Sequence, residues 1–93
     1  MNTLVEQYEL VKEMYFVFEN IDPKIRGRIY KIIEGANAQF TWEINYYCRL
    51  ADEIDAYTPS APFGSTVEET EVKLMQYVKR FEKAADWRVN QYF

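Results

Sequence analysis

The chain contains no histidine, and this absence excludes much of the chemistry open to a small protein. Histidine is the commonest general base near neutral pH and the commonest zinc ligand. The single cysteine, Cys48, cannot form an internal disulfide, which is consistent with a reducing compartment. Without a histidine to activate it, Cys48 is interpreted as a small core residue. We therefore expect no enzymatic activity, no cofactor and no metal.

A long apolar run and a targeting signal are also missing. No segment approaches the ~20 consecutive apolar residues that a membrane-spanning helix requires. The first ten residues, MNTLVEQYEL, contain two acids and no base, unlike a secretory signal. The sequence therefore predicts a cytoplasmic protein without a membrane partner.

Glycine and proline are scarce, with three of each in 93 residues. Two of the prolines fall in one loop, residues 57–65, where they forbid helix. The chain length and an apolar fraction of 48% predict a single globular domain over residues 1–93. Aromatic residues make up 17% of the chain, so a few of them can fill a small core.

Apolar residues recur at helical spacing along four segments. The clearest segment is 40–57, FTWEINYYCRLADEIDAY, in which Phe40, Ile44 and Tyr47 form one stripe. Local capping signals support two of the helix starts, namely Asp22-Pro23 and the capping box from Thr66 to Glu69. The sequence thus predicts an all-α fold, a compact antiparallel four-helix bundle with helices at about 3–19, 23–34, 38–57 and 66–88. A three-helix core with a short second helix and an intertwined dimer are the alternatives.

A magnesium site could be built from carboxylates alone. Asp52 and Asp55 are three residues apart with Glu53 between them, and Glu68, Glu69 and Glu71 cluster later. These acids do not reproduce the Glu-Glu-x-x-Glu plus Glu-x-x-Asp pattern of helical magnesium sites, so we interpret them as a solvated helix face and a helix N-terminus.

A second aromatic row on the predicted central helix is the main functional lead. Trp42, Tyr46 and Arg49 belong to the residue types that dominate binding hot spots. Phe16 falls on the far side of the predicted first helix, away from its apolar stripe. These four residues are predicted to bind a protein partner, although a flanking helix that covers Trp42 would explain the row equally well.

The predicted second helix carries a cluster of bases, Lys24, Arg26, Arg28 and Lys31. The cluster is either a surface complementary to the acidic neighbouring segments or an electrostatic patch for an acidic partner. Nucleic acid is an improbable ligand, since the whole chain has a net charge of −4 and phosphate is recognised by positive charge.

Together these patterns predict a non-catalytic protein–protein interaction module. We expect a small bacterial or phage regulator or inhibitor that masks the surface of another protein, with a homodimer as one possible assembly. The alternative is a nucleic-acid-related role, either DNA binding through the basic second helix or DNA mimicry by the acidic helices. Whether the segment 87–93 docks on the domain is left open by the sequence.

Overall fold

The computed structural model describes residues 1–35 and 37–93 and consists mainly of β-strands. The elements are β1 (Gln7–Phe16), β2 (Ile25–Glu34), β3 (Phe40–Ile44), β4 (Tyr46–Leu50), β5 (Phe63–Gly64), α1 (Val67–Lys79), a short 3-10 turn (Arg80–Lys83) and β6 (Ala84–Val89). The larger sheet is antiparallel with strand order β1-β2-β3-β5, and a two-stranded antiparallel sheet pairs β4 with β6. The helix and the 3-10 turn connect β5 to β6.

The predicted all-α four-helix bundle is wrong, since strands account for 41% of the chain. The predicted helices 3–19 and 23–34 correspond to β1 and β2, and the predicted helix 38–57 contains β3 and β4. The predicted helix 66–88 is helical only in its first part.

The second strand shows why the helical interpretation failed. Ile25, Gly27 and Ile29 are buried, whereas Arg26 and Arg28 between them lie on the other face. That alternation has a period of two, the signature of a strand with one buried face. A spacing of four, as between Ile25 and Ile29, fits both a helix and a strand. The β-branched residues of this segment favour the strand.

The segment from Phe40 to Leu50 is one long β path bent at Asn45. Trp42, Ile44 and Cys48 alternate toward the core along it. The Asn45 side chain accepts a hydrogen bond from the Arg26 backbone N–H at 2.7 Å, and its own backbone N–H donates to the Arg26 carbonyl at 3.1 Å. These bonds fix the point at which the chain leaves the larger sheet and enters the smaller one.

Helix α1 begins where its capping signal predicts. The Thr66 hydroxyl accepts a hydrogen bond from the Glu69 backbone N–H at 3.0 Å, so Thr66 is the N-cap. The helix ends at Lys79, well before the predicted residue 88. The chain then turns through Arg80–Lys83 and pairs with β4 as β6, so the predicted final turns are a strand.

The core lies between α1 and one face of the larger sheet. Leu74 is fully buried above Gly27, where a Cβ atom would lie only 2.8 Å from its Cδ2 atom. The Tyr77 hydroxyl donates to the Tyr57 carbonyl and accepts a hydrogen bond from the Cys48 backbone N–H at 3.0 Å. Tyr77 thus ties the helix to β4 and to the loop that follows it. The core consists of Ile21, Ile25, Ile29, Trp42, Ile44, Cys48, Leu74, Tyr77, Val78 and Phe81.

Candidate functional site: an aromatic groove on the open sheet face

The face of the larger sheet opposite α1 carries a row of aromatic and polar side chains. Tyr30 of β2 and Glu43 of β3 alternate with buried residues, so strand geometry directs them away from the helix. Tyr8 of β1 pairs in register with Ile32 and lies on the same face as Tyr30. No helix of the described chain covers this row.

These side chains form one wall of a groove with a volume of about 540 Å³. The loop between β4 and β5 and the segment after β6 supply the remaining walls. We call this feature the aromatic groove. It is lined by Tyr8, Tyr30, Thr41, Trp42, Glu43, Ile44, Tyr47, Pro59, Pro62, Phe63, Asn90 and Tyr92.

The tyrosine hydroxyls give the groove its polar character. The Tyr30 hydroxyl donates a hydrogen bond to Glu43 Oε1 at 2.8 Å, and the ring of Tyr8 packs edge-on against Tyr30 with 6.2 Å between ring centroids. Partial burial raises the pKa of Tyr8, Tyr30 and Tyr47 above the ordinary value of 10.0. These hydroxyls therefore stay protonated at neutral pH and can donate hydrogen bonds.

The wall formed by the segment after β6 is held by Asn90. This side chain is buried, donates to the Ile44 carbonyl at 2.8 Å and accepts from the Tyr92 backbone N–H at 3.0 Å. The Asn90 backbone N–H donates to the Asn45 carbonyl at 2.8 Å. The segment therefore docks on the domain and leaves Tyr92 with 90% of its surface exposed at the rim of the groove.

Beside the groove, two arginines of β2 form a compact cluster with Phe93. The Arg28 guanidinium lies 4.0 Å from the centre of the Phe93 ring, and that of Arg26 lies 5.3 Å from it. Arg26 Nη2 also donates to Glu13 Oε1 at 2.7 Å, and Arg28 Nε lies 3.4 Å from the same oxygen. The bond from Arg26 is the main reason that the pKa of Glu13 falls below its ordinary value. Both arginines therefore contact a carboxylate and an aromatic ring of the same chain.

The structure does not bring the predicted partner-binding residues together as one exposed row. Trp42 is buried, with its ring 5.9 Å from that of Tyr77, and Tyr46 and Phe16 pack against the core from its edges. Arg49 Nη1 donates to the Leu50 and Glu53 carbonyls at 3.2 and 3.0 Å. Only Trp42 of these residues lines the aromatic groove.

The predicted electrostatic patch is also divided. Arg26 and Arg28 lie on the open face of β2, whereas Lys31 alternates to the helix side and Lys24 precedes the strand. The row that a helix would have formed from Lys24, Arg28 and Lys31 is absent, because β2 is a strand. The local charge on the open face is balanced by Glu13 and Glu43.

Sequence reasoning missed Tyr8, Tyr30, Tyr47 and Tyr92 as site residues. The signal that could have found Tyr30 is the alternation Ile25-Arg26-Gly27-Arg28-Ile29-Tyr30, which places Tyr30 on the face away from the core. Tyr92 and Phe63 carry no such signal. Tyr92 lies in the irregular segment after β6 and Phe63 in a strand of only two residues, and the positions of both depend on tertiary contacts.

The remaining chemical candidates are structural residues or isolated acids. Cys48 is fully buried, which confirms its interpretation as a core residue, and burial raises the pKa of its thiol. Asp52 and Asp55 are exposed in the loop after β4. Among residues 1–35 and 37–93, no three histidine, cysteine or acidic side chains cluster as metal ligands would.

Within the same residues, α1 is too short and too polar to cross a membrane.

No known protein family, characterised protein or solved structure matches this chain. The functional argument therefore rests on the geometry of the aromatic groove.

Proposed function

We propose that this protein is a non-catalytic protein–protein interaction module and that its aromatic groove binds an extended segment of a partner protein. One observation carries the proposal, namely the concentration of tyrosine side chains around an open groove on a sheet face. Tyr8, Tyr47 and Tyr92 each retain exposed surface there. Tyrosine and tryptophan are the residue types most enriched in the energetic centres of protein interfaces.

The polar groups of the groove favour a peptide backbone as ligand. The Tyr47 and Tyr92 hydroxyls can donate hydrogen bonds, whereas the Tyr30 hydroxyl already donates to Glu43, and the carbonyl groups of an extended segment are matching acceptors. Tyrosine rings also offer large contact areas at a low cost in side-chain entropy. An extended segment with apolar side chains would place those side chains on the rings and its carbonyls beside the hydroxyls.

Several features support a binding role over catalysis. The chain lacks histidine, and its one thiol is buried with a raised pKa. A small acidic protein of this kind fits a bacterial or phage regulator or inhibitor that masks a partner surface. We also propose a cytoplasmic location, which the single unpaired cysteine supports.

The nucleic-acid alternative has less support. Arg26 and Arg28 are the bases of β2 on the open face, where both are partly buried beside Glu13. Binding to a phosphate backbone would require these ion pairs to open, and its affinity would fall steeply with salt. A protein partner can instead use the groove without disturbing them.

The proposal is tested by selecting peptides that bind the full-length chain from a displayed random library. We expect that Tyr47→Ala and Tyr92→Ala each weaken the binding of the selected peptides at least about tenfold, because truncation of a binding hot spot costs about 2 kcal/mol or more and about 1.4 kcal/mol corresponds to a factor of ten. Affinity is measured by calorimetry or fluorescence anisotropy at two salt concentrations.

Tyr15→Ala is the matched control, because Tyr15 is an exposed tyrosine of the larger sheet that does not line the groove. Equal affinity for the wild-type, Tyr47→Ala and Tyr92→Ala proteins would reject the groove as the binding site. Retained binding of short duplex DNA with a steep salt dependence would support the nucleic-acid alternative instead.

A further inference from the structure

The outer edge of β1 is the longest unpaired strand edge in the described residues. β1 runs from Gln7 to Phe16 and pairs only with β2, on its other side. Ten residues of strand extend roughly 33 Å and present a row of unpaired backbone donors and acceptors. Apolar side chains along and beside this edge are exposed by 44–76%, namely Leu4, Val5, Leu10, Val11, Tyr15 and Val17.

A bulge in β1 sets the faces of its charged residues. Val11 has no partner on β2, because Leu10 lies opposite Tyr30 and Lys12 lies opposite Ile29. The extra residue shifts the alternation by one position. Glu9 and Lys12 therefore both lie on the helix side of the sheet, where Lys12 Nζ is 2.6 Å from Glu71 Oε1.

This arrangement makes β1 complementary to a second copy of itself. In an antiparallel pair related by a two-fold axis between Leu10 and Val11, Glu9 of each copy lies opposite Lys12 of the other. The two residues lie on the same face in both copies, as cross-strand partners must. The exposed Leu10 and Val11 side chains then meet at the centre of the pair.

Other registers lack this match. Registers centred on Glu9 or Lys12 would place like charges opposite each other, and registers centred on Leu10 or Val11 would bring no opposite charges together on one face. Like charges at directly opposed positions are destabilising. The charges of β1 therefore favour one two-fold register.

We propose that two copies of this chain associate by antiparallel pairing of their β1 strands about this axis. The pairing joins the two larger sheets into one continuous sheet and covers both exposed edges. The axis is perpendicular to the joined sheet, so both helices lie on one face and both aromatic grooves on the other. The dimer can be distinguished from the proposed peptide binding, because its register depends on Glu9 and Lys12, which do not line the groove, although Tyr8 of the same strand does.

The test is the mass of the full-length protein in solution, measured by sedimentation velocity and native mass spectrometry over a range of concentrations. We expect a species of twice the 11.2 kDa chain mass for the wild type. Glu9→Lys and Lys12→Glu should each raise the dimer dissociation constant at least tenfold. Either substitution gives residues 9 and 12 the same charge, so like charges face each other at both symmetry-related contacts of the dimer. The double variant E9K/K12E should restore the dimer.

Two control variants distinguish an effect at the β1 edge from an effect of net charge and from the loss of a contact within one chain. Glu82→Lys changes the net charge as Glu9→Lys does but lies on the exposed 3-10 turn, so it should leave the dimer intact. Glu71→Gln removes the acid that Lys12 contacts within one chain and leaves the edge unchanged, so it should also remain dimeric. Circular dichroism verifies that each variant is folded.

A wild-type monomer at every concentration would overturn the proposal, as would a dimer that the edge variants leave unchanged. A dimer lost in Tyr47→Ala or Tyr92→Ala but kept in Glu9→Lys would place self-association in the groove and also overturn it. A different outcome is a wild-type monomer together with library peptides that bind the Glu9→Lys variant more weakly than the wild type. That result would show that the β1 edge binds a strand of another protein and not a second copy of this chain. Failure of the groove variants to affect peptide binding leaves the dimer result unaffected.

Discussion

Gly27 is the single residue that sets how closely α1 approaches the larger sheet. A Cβ atom at this position would lie 2.8 and 3.0 Å from the two Cδ atoms of Leu74. Contacts this short require Leu74 or the helix to move. The absence of a side chain at residue 27 is therefore what allows Leu74 to be completely buried.

This contact predicts a compensating pair of substitutions. Gly27→Val should lower the free energy of unfolding by about 1–3 kcal/mol through overpacking, and Leu74→Ala should lower it by about 2–5 kcal/mol through the cavity that it leaves. The double variant should be less destabilised than the sum of the two, because the valine occupies part of the space that Leu74 vacates. Urea unfolding measures all three values.

Val72→Ala serves as the control for Leu74→Ala, since Val72 is an exposed residue of the same helix. Its effect should stay within about 0.5 kcal/mol. Strict additivity of Gly27→Val and Leu74→Ala would show that the two positions are not in contact as described.

At the scale of elements, Asn45 and Asn90 join the two sheets. Asn45 bonds to the Arg26 backbone at the bend between β3 and β4, and Asn90 bonds to the backbone of that same bend. Two side-chain amides thus fix the relative positions of β2, the bend and the segment that carries Tyr92.

Asn90→Ala should release that segment. The variant leaves the Ile44 carbonyl without its side-chain donor, at a cost of about 1–3 kcal/mol in the free energy of unfolding. We expect faster amide hydrogen exchange at residues 91–93 and loss of the contact between Phe93 and Arg28. Gln91→Ala, at the exposed neighbouring position, should change neither. Unchanged exchange in Asn90→Ala would mean that Phe93 alone holds the segment.

The sequence predicted the start of α1 because its signals are local. Thr66, Glu68 and Glu69 satisfy and stabilise the first helical turn with no help from the rest of the chain. The end of the helix could not be found in this way. Residues 84–89 have a pattern that suits a helix, but they form a strand because β4 lies beside them.

The strands were missed for two physical reasons. In β1 the bulge at Val11 breaks the period of two, so that residues on both sides of it also fit helical spacing. In the segment 40–50 the bend at Asn45 divides one alternating pattern into two short ones. The aromatic groove depends on both sheets and on two loops, so its assembly could not be predicted while the segments were read as helices.

At the scale of the whole molecule, acid should destabilise the fold through a few bonded carboxylates. Glu53 Oε1 accepts hydrogen bonds from the Leu50 backbone N–H at 2.8 Å and from Arg80 Nη2 at 2.6 Å. These bonds lower the pKa of Glu53, and a bond from the Ser65 side chain lowers that of Glu69. The hydrogen bond from Arg26 likewise lowers the pKa of Glu13.

A carboxyl group whose pKa is lower in the folded state stabilises that state above its unfolded pKa. The melting temperature should therefore be nearly constant from pH 7 to 5 and should fall as the pH drops below the ordinary value of 4.5. Glu53→Gln should make this fall shallower, because one of the responsible groups no longer titrates. Glu82→Gln is the matched control, and an identical pH profile for both variants would contradict the role of Glu53.

The division of the chain into two sheets has a spectroscopic consequence. The chain contains two tryptophans, and each belongs to a different sheet: Trp42 lies in β3 and Trp87 in β6. Trp42 is buried against Tyr77, while Trp87 is partly exposed, so their emission maxima should differ. Replacing either one with phenylalanine leaves a single intrinsic fluorophore that reports on one sheet alone.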